Sequence, residues 1–360
     1  MNLSDNTKVG IIIPTKNRSD FVIRALKYYL SLNSPHPLYI GDSSDSEEAG
    51  KIIQAVDQLK SKLPVVYLPF PDGDTIKKMI YLLSNVKEKY ATYTGDDDYH
   101  VPNTLTECAL FLEDHFDYES AIGRSITFKL TGNGAYGSLK ETHDYPRRSI
   151  ESDSASERLY LSLGPALTPL INSVMKTKKF RQFFQNSESV FDVVMRSEIL
   201  PNCRLVVAGK HKVIDRLGFV RQIHDRHFKV PDMYDQLMSP EWYKSYHEIE
   251  KIVVADLKSK EAIGQEEAEY NFKKAFWNYL NMYLPRFYRN FTPSFDSPSK
   301  KIGFRTRLAA SLPVIKKVYR KIRPLFNKKI QLHYEVLQTG SKYYEDFKPI
   351  RDSFNPHVHK

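Results

Sequence analysis

The sequence predicts an α/β fold whose central sheet is mostly parallel. Short apolar runs rich in β-branched residues alternate with longer amphipathic segments through the N-terminal part of the chain. This alternation is typical of strand–helix repeats, in which helices cover both faces of a parallel sheet. A hydrophobic content of 41% and a charged content of 27% are ordinary for a globular protein of 360 residues.

The strands and helices of this fold can be placed in order along the chain. Residues 9–14 form an apolar run that ends at Pro14 and predicts a buried strand. Apolar residues at helical spacing, beginning at Phe21, predict the first helix. The alternation then predicts strand 38–40, helix 47–59, strand 65–68, helix 75–86 and strand 90–95.

Polar clusters follow three of the predicted strands. They comprise residues 15–18, residues 42–45 and residues 96–98. In parallel sheets, ligands bind beside the carboxyl ends of the strands, which lie at one edge. We therefore expect the three clusters to meet there and to form a binding site.

The third cluster consists of three consecutive aspartates, Asp96, Asp97 and Asp98. Adjacent carboxylates repel one another, and a bound divalent cation such as Mg²⁺ or Mn²⁺ would relieve that repulsion. Alternate residues of an extended segment point the same way, so Asp96 and Asp98 are suited to share one ion. The alternative for an isolated run of this kind is a solvated acidic turn.

Two common nucleotide-binding motifs are missing from the sequence. It contains neither Gly-x-Gly-x-x-Gly after the first strand nor Gly-x-x-x-x-Gly-Lys-Ser/Thr at any position. These absences argue against a dinucleotide enzyme and against a P-loop ATPase. A sugar nucleotidyltransferase shares the sheet and the carboxylate site, but its loop after the first strand usually contains glycine, whereas residues 15–18 contain none.

Three segments together resemble the inverting family-2 glycosyltransferases of the GT-A fold. They are Ile12–Arg18, Gly41–Asp45 and Gly95–Tyr99, and the last is similar to a bacterial subgroup with three aspartates followed by an aromatic residue. The resemblance covers about residues 8–227. It implies a nucleotide-diphosphate sugar donor, a divalent cation (Mn²⁺ or Mg²⁺) on the diphosphate, and single displacement by an acceptor hydroxyl.

The resemblance also implies roles for individual residues. Asp42 would accept a hydrogen bond from the base, and Asp98 would be the more direct ligand of the cation. The implied metal ligands are Asp96, Asp98 and, from a loop late in the domain, His224. The implied nucleotide contacts are Pro14, Thr15, Asn17, Arg18, Asp42, Ser43, Asp96 and Asp97.

Phosphate contacts are expected from two further places. In the family, the loop that holds the last metal ligand also supplies diphosphate contacts, and here Arg221 or Arg226 is suited to bidentate pairing with phosphate oxygens. Many members also carry an Asn-x-Gly and Arg-Asn stretch before the aspartate motif. Residues 71–78 stand in that place, where Lys77 is the predicted phosphate contact.

Inverting transfer requires a general base that removes the proton of the acceptor hydroxyl. The family places this acid near the start of a late helix, and residues 187–195 offer Asp192 first and Glu188 second. A helix start stabilises a carboxylate as an anion. The alternatives are that Glu188 caps the helix and that both carboxylates lie on a solvated face.

The net charge of +10 is concentrated near the C-terminus, where residues 297–334 hold eleven Lys or Arg and no Asp or Glu. Apolar residues recur there at helical spacing, so this segment suits either an anionic membrane surface or a solvated helix packed on the catalytic domain. Nucleic acid is not expected, because no known binding motif accompanies the charge.

The remaining features of the sequence predict the cellular location of the protein and its division into domains. Two cysteines without a pairing pattern indicate a reducing compartment, and the polar N-terminus does not resemble a signal peptide. We therefore expect a cytoplasmic protein, either free or peripheral on the inner membrane face. The predicted divisions are a GT-A domain (1–230), a helical aromatic-rich extension (231–295) and a basic C-terminal segment (296–360).

The leading prediction is thus an inverting glycosyltransferase with a glycan or lipid-linked acceptor, in bacterial surface polysaccharide synthesis. The aromatic residues of the helical extension would either stack on acceptor sugars or form core. The rival interpretations are a sugar nucleotidyltransferase and a non-catalytic protein that binds a glycan or membrane surface on a transferase fold.

Overall fold

The first four strands form the parallel half of the sheet. The computed structural model describes residues 7–164, 169–226, 233–291 and 331–355. Within this half the strand order is β3-β2-β1-β4, and all three pairings are parallel. The strands and their connecting helices are β1 (Val9–Thr15), α1 (Ser19–Ser31), β2 (Leu38–Asp42), α2 (Ser46–Leu59), β3 (Val65–Pro69), α3 (Thr75–Asn85) and β4 (Tyr90–Tyr93).

The second half of the sheet is mixed. Its order continues from β4 as β8-β6-β9-β5, with β7 beside β6, and within the described residues the nine strands make one sheet. The elements of this half are β5 (Tyr99–His100), α4 (Pro102–Asp114), β6 (Tyr118–Leu130), β7 (Leu139–Asp144), α5 (Ala155–Ser162), β8 (Val174–Lys176), α6 (Thr177–Phe183), a π-helical turn (Met195–Ile199), α7 (Leu200–Ala208) and β9 (Lys210–Gln222).

Strand β1 shows why the sheet is buried on both faces. Ile12 packs into one hydrophobic core, whereas Ile11 and Ile13 pack into the core on the opposite face. Successive side chains of a strand point to opposite faces, so a run of consecutive apolar residues requires cover on both. The predicted fold class, a mostly parallel sheet flanked by helices with a helical C-terminal extension, is confirmed.

The helical extension comprises α8 (Met233–Leu237), α9 (Pro240–Glu261) and α10 (Gln265–Phe291). Helix α9 begins at Ser239, whose side chain accepts a hydrogen bond from the amide of Trp242, and it ends at Ala262 in the left-handed conformation. Five aromatic residues of the extension pack between α9 and α10. This inward group comprises Trp242, Tyr246, Phe272, Phe276 and Tyr279.

In the portion of the chain with described structure, no helix is both long enough and apolar enough to cross a membrane.

The end of the chain returns to the sheet domain through α11 (Leu332–Glu335) and α12 (Tyr344–Phe354). The Phe354 ring stacks on Phe128 of β6 with 4.9 Å between centroids. Of the predicted basic segment, residues 296–330 lie outside the described residues, while residues 331–355 pack on the sheet domain. The division at residues 230 and 295 stays a prediction.

The packing of α12 predicts that Phe354→Ala lowers the free energy of unfolding by about 3–5 kcal/mol, because it leaves a cavity beside Phe128. Phe354 is 1% exposed, whereas Phe116 is 80% exposed. Phe116→Ala is therefore the matched control and should change stability by less than about 0.5 kcal/mol. Denaturant unfolding measures both, and equal effects would contradict the packing role of α12.

Candidate active site

The three aspartates form a tight, buried turn directly after β4. Asp96, Asp97 and Asp98 are 3%, 4% and 8% exposed. The turn closes with a hydrogen bond of 3.2 Å from the amide of Asp98 to the carbonyl of Gly95. A Cβ atom at Gly95 would lie 2.5 Å from Oδ1 of Asp97, so a side chain at this position would displace the carboxylate.

Arg18 from the loop after β1 joins two of the carboxylates. Its guanidinium lies 2.9 Å from Oδ1 of Asp96 and 2.8 Å from Oδ2 of Asp97. The hydroxyl of Thr15 donates to the other oxygen of Asp96 at 2.7 Å. Two of the predicted polar clusters therefore meet at the sheet edge, as expected for loops that follow neighbouring parallel strands.

The aspartate turn brings three buried carboxyl groups together, and Arg18 pairs with two of them. Burial raises the pKa of both Asp96 and Asp98, and the neighbouring Asp97 raises each further. Opposing this, Arg221 lowers the pKa of Asp98, whose Oδ1 accepts a hydrogen bond of 3.0 Å from the amide of Gln222. A site with these properties favours a bound cation.

A divalent cation fits this set of donors when it is shared with a diphosphate. Among the described side chains, no group of three or more His, Cys, Asp or Glu comes together as a complete cation site. Mg²⁺ is commonly bound by one or two carboxylates with the remaining positions filled by substrate phosphates and water. Asp96 and Asp98 supply the hard oxygen ligands that Mg²⁺ and Mn²⁺ prefer.

His224 lies against Asp97, the middle residue of the aspartate turn. Its Nε2 is 2.8 Å from Oδ2 of Asp97, and its Nδ1 accepts a hydrogen bond from the amide of Arg226 at 3.0 Å. A neutral imidazole that accepts at Nδ1 carries its proton at Nε2, so neither nitrogen has a free lone pair for a cation. Metal ligation by His224 stays a prediction, and it requires the loop after β9 to rearrange.

A cleft of about 540 Å³ opens over the aspartate turn. Its walls come from the loop after β1, the N-terminal part of α3, the π-helical turn and the end of β9. The size is typical of a site for a small ligand. The predicted residues that line this cleft are Pro14, Thr15, Arg18, Asp96, Asp97, Asp98 and Arg221.

Asn17, Asp42 and Ser43 shape the neighbouring loops and are not among the described residues that line the cleft. Asp42 is buried and accepts hydrogen bonds of 2.8 Å from the amide of Ser44 and from the hydroxyl of Tyr67. Asn17 adopts a left-handed backbone conformation with φ of 54°. Their predicted nucleotide contacts stay predictions.

Of the two adjacent lysines in α3, Lys78 faces the cleft and Lys77 points to solvent. Lys77 is exposed and pairs with Asp72 at 3.2 Å. Lys78 is 3% exposed, lines the cleft, and donates to the carbonyl of Thr15 at 2.9 Å. Consecutive helical residues differ by about 100° around the axis, so only one of the two can face the cleft.

The two carboxylates predicted as the base do not line the described cleft. Asp192 accepts a hydrogen bond of 2.9 Å from the amide of Met195, which makes it a cap of the helical segment that follows. Glu188 is exposed to solvent. Both positions match the capping and solvated-face alternatives for these residues.

Glu198, which the sequence pattern did not indicate, is a further carboxylate that lines the cleft. It lies in the π-helical turn Met195–Ile199 and lines the cleft together with Arg221. Burial raises the pKa of Glu198, and Arg221 opposes that shift. Pattern analysis assumes 3.6 residues per turn, so a local π-helix leaves no signal that would indicate which side chains face the cleft.

Comparison with known proteins gives a structural likeness without a sequence match. No protein-family model and no curated protein matches the sequence. The fold is similar to the crystal structure of S. aureus TarS 1–349 in complex with UDP-GlcNAc, with a TM-score of 0.51 and 13% identity. That alignment covers 96% of this chain and 90% of the TarS chain.

A second crystal structure of S. aureus TarS 1–349, in complex with UDP, aligns with a TM-score of 0.50, 13% identity and the same coverage. Against a longer TarS chain, the alignment covers 96% of this chain and 54% of that one, at 12% identity and a TM-score of 0.48. The chain thus spans about half the length of that longer protein. At these identities the likeness establishes the fold alone.

The position of Lys78 allows a test of the predicted nucleoside-diphosphate site with UDP as the probe. If the cleft is that site, Lys78→Met weakens UDP binding at least about tenfold, because a cation that faces the cleft is lost while the apolar stem is kept. Lys77→Met is the matched control, since its side chain points to solvent, and it should leave the affinity within about twofold. Isothermal titration calorimetry measures both. A larger loss of affinity from Lys77→Met would instead support Lys77 as the phosphate contact, as the sequence predicts.

Proposed function

We propose that the chain is an inverting glycosyltransferase that uses a nucleotide-diphosphate sugar. One observation carries this proposal: a buried aspartate turn and a separate carboxylate, Glu198, line one cleft at the carboxyl edge of the parallel half of the sheet. The likeness to TarS supports it, because TarS was crystallised with UDP-GlcNAc and with UDP. We infer a UDP-sugar as the donor to test first.

On the donor side, cationic side chains surround the cleft where the diphosphate would lie. Lys16, Lys78 and Arg221 all line it, and Arg18 holds the aspartates in place. Asp98 and Asp96 would hold a divalent cation, Mn²⁺ or Mg²⁺, which neutralises charge on a diphosphate leaving group when bound. The lysines and Arg221 orient the phosphates through charge-assisted hydrogen bonds.

On the acceptor side, Glu198 is the base in this proposal. Its carboxylate takes the proton of an acceptor hydroxyl while the oxygen of that hydroxyl bonds to the anomeric carbon of the donor sugar. The bond from that carbon to the diphosphate oxygen breaks in the same step, and nucleoside diphosphate leaves. Single displacement inverts the anomeric configuration. Burial suits Glu198 to this role because a raised pKa makes the carboxylate a stronger base.

The wider setting remains part of the proposal. A glycan or lipid-linked acceptor suits a chain whose basic residues concentrate in 297–334, since such a segment binds anionic lipid. Most of that segment, residues 297–330, lies outside the described structure. A role in bacterial surface polysaccharide synthesis, and a cytoplasmic or peripheral membrane location, rest on the sequence pattern.

Donor binding should depend on a divalent cation. We expect UDP to raise the melting temperature of the protein more in the presence of Mn²⁺ than in its absence, and Asp98→Asn to remove that difference. Asp57→Asn is the control, because Asp57 lies on the exposed face of α2 and pairs with Lys60. A metal-dependent shift that survives in Asp98→Asn would place the cation elsewhere. No shift with UDP, GDP, CDP or dTDP would favour a non-catalytic binding protein.

The base assignment predicts that Glu198→Gln lowers kcat by roughly 10²–10⁴-fold while UDP binding is retained. Asp192→Asn should keep kcat within about tenfold, because its carboxylate caps a helix and does not line the cleft. The assay is release of UDP from UDP-GlcNAc. If Asp192→Asn shows the larger loss of kcat, Asp192 is the base after all.

The raised pKa of Glu198 also predicts the pH dependence of the reaction. The base acts as a carboxylate, so activity is lost as pH falls through its pKa, which burial places above the ordinary value of 4.5. The acid limb of the kcat profile should therefore lie above pH 4.5, and the residual rate of Glu198→Gln should lack that limb. A wild-type profile that is flat down to pH 4.5 would contradict the assignment.

A further inference from the structure

A second depression lies beside the cleft, on the outer side of α9. It has a volume of about 280 Å³, and its lining includes the exposed rings of Phe191 and Tyr243 together with the imidazole of His247. Phe191 is 61% exposed and Tyr243 is 63% exposed. Both rings are therefore available to a ligand.

The depression is continuous in the chain with the cleft. Val193, two residues after Phe191, is 53% exposed and lines the cleft, and Glu198 follows five residues later. One short segment therefore supplies an aromatic ring to the depression, an apolar side chain to the mouth of the cleft, and the carboxylate of the proposed base.

Helix α9 fixes this segment in place. The buried hydroxyl of Ser245 accepts hydrogen bonds of 2.9 Å from the amides of both Phe191 and Asp192, and it donates to the carbonyl of Glu241 at 2.6 Å. The backbone at Phe191 is thus fixed against α9, the helix that carries Tyr243, by hydrogen bonds. A surface fixed in this way loses little conformational entropy when a ligand binds to it.

Beyond His247 the depression leads into a longer groove of about 710 Å³ between α9 and α10. His247 lines both, so together they form one feature, called here the α9 trough, that runs beside α9 from Tyr243 to Lys258. This stretch of helix is about 22 Å long at 1.5 Å per residue. The trough is therefore long enough for a chain of several sugar units.

The balance of charge in the α9 trough indicates which kind of polymer suits it. Its lining contains three lysines and three glutamates, so it presents no excess of either sign. An anionic polymer would require an excess of cations, whereas a neutral, hydroxyl-rich chain needs interspersed donors and acceptors. The charged residues of the lining are Lys244, Lys251, Lys258, Glu248, Glu250 and Glu269.

We propose that the α9 trough binds a neutral oligosaccharide chain, the acceptor or its growing end, with sugar rings packed on Phe191 and Tyr243. This rests on the proposed function, which it extends by naming the class of acceptor and the surface that holds it. The aromatic faces bury the apolar face of a sugar, and the flanking polar side chains bind its hydroxyls. The terminal hydroxyl then reaches the cleft past Val193, toward Glu198.

Binding to an immobilised array of neutral and polyanionic glycans tests the trough directly. We expect the wild-type chain to retain one or more neutral glycans and Tyr243→Ala and Phe191→Ala each to weaken that retention roughly tenfold, as removal of an aromatic anchor does. Tyr270→Ala is the matched control, because Tyr270 is 65% exposed on α10 and does not line the trough as described. Melting temperatures verify that each variant is folded.

Three results would overturn the proposal: retention of no neutral glycan, retention unchanged by Tyr243→Ala and Phe191→Ala, or retention of polyanionic glycans that these variants abolish. Co-sedimentation with phosphatidylglycerol vesicles that Tyr243→Ala abolishes would instead assign the surface to lipid. Hydrolysis of UDP-GlcNAc by the wild-type chain reports on the proposed function separately. Hydrolysis without glycan retention would contradict only the proposal that the α9 trough binds the acceptor. Glycan retention without hydrolysis would contradict only the proposed transfer reaction.

Discussion

The burial of three adjacent carboxylates is the constraint on which the rest of this structure depends. Buried charges are costly unless they are paired or hydrogen bonded. Arg18 pairs with Asp96 and Asp97, and a second arginine, Arg24, holds the turn from behind. Arg24 is 1% exposed and donates to the carbonyls of Asp97 at 2.8 Å and Ala135 at 2.6 Å. Helix α1 thereby fixes both the carboxylates and the backbone that carries them.

The same constraint explains why the end of the chain packs on the half of the molecule that holds the aspartate turn. Tyr99 follows the aspartates, and the guanidinium of Arg24 lies 4.8 Å from the centre of its ring. The hydroxyl of Tyr99 is buried and meets that of Ser353 in α12 at 2.9 Å. A buried tyrosine needs a partner for its hydroxyl. Helix α12 provides that partner and closes the core behind the aspartate turn, at a separation of 254 residues in sequence.

Local patterns in the sequence were sufficient for the parallel half of the fold and for its ligand edge, because strand ends and polar loops are encoded within a few residues. They were not sufficient where the position of a side chain depends on helical phase or on distant contacts. Composition cannot tell which of Lys77 and Lys78 faces inward, since one residue turns the helix by about 100°. Asp192 was chosen because it stands at a helix start, and its carboxylate does cap the segment that follows. The packing of α12 on the sheet domain has no signal in the local sequence.

The sequence pattern did not indicate that Glu198 lines the cleft, and the cause is local. A π-helical turn inserts an extra residue into a helix and so changes which side chains face a given surface, and such turns are frequent at functional sites. Here the turn follows the segment that Ser245 fixes to α9. Any shift of α9 that moves Ser245 would therefore be transmitted through Asp192 to the turn that carries Glu198. The acceptor surface and the proposed base are thus held by one set of hydrogen bonds, so an acceptor seated on α9 would help to position the group that deprotonates it.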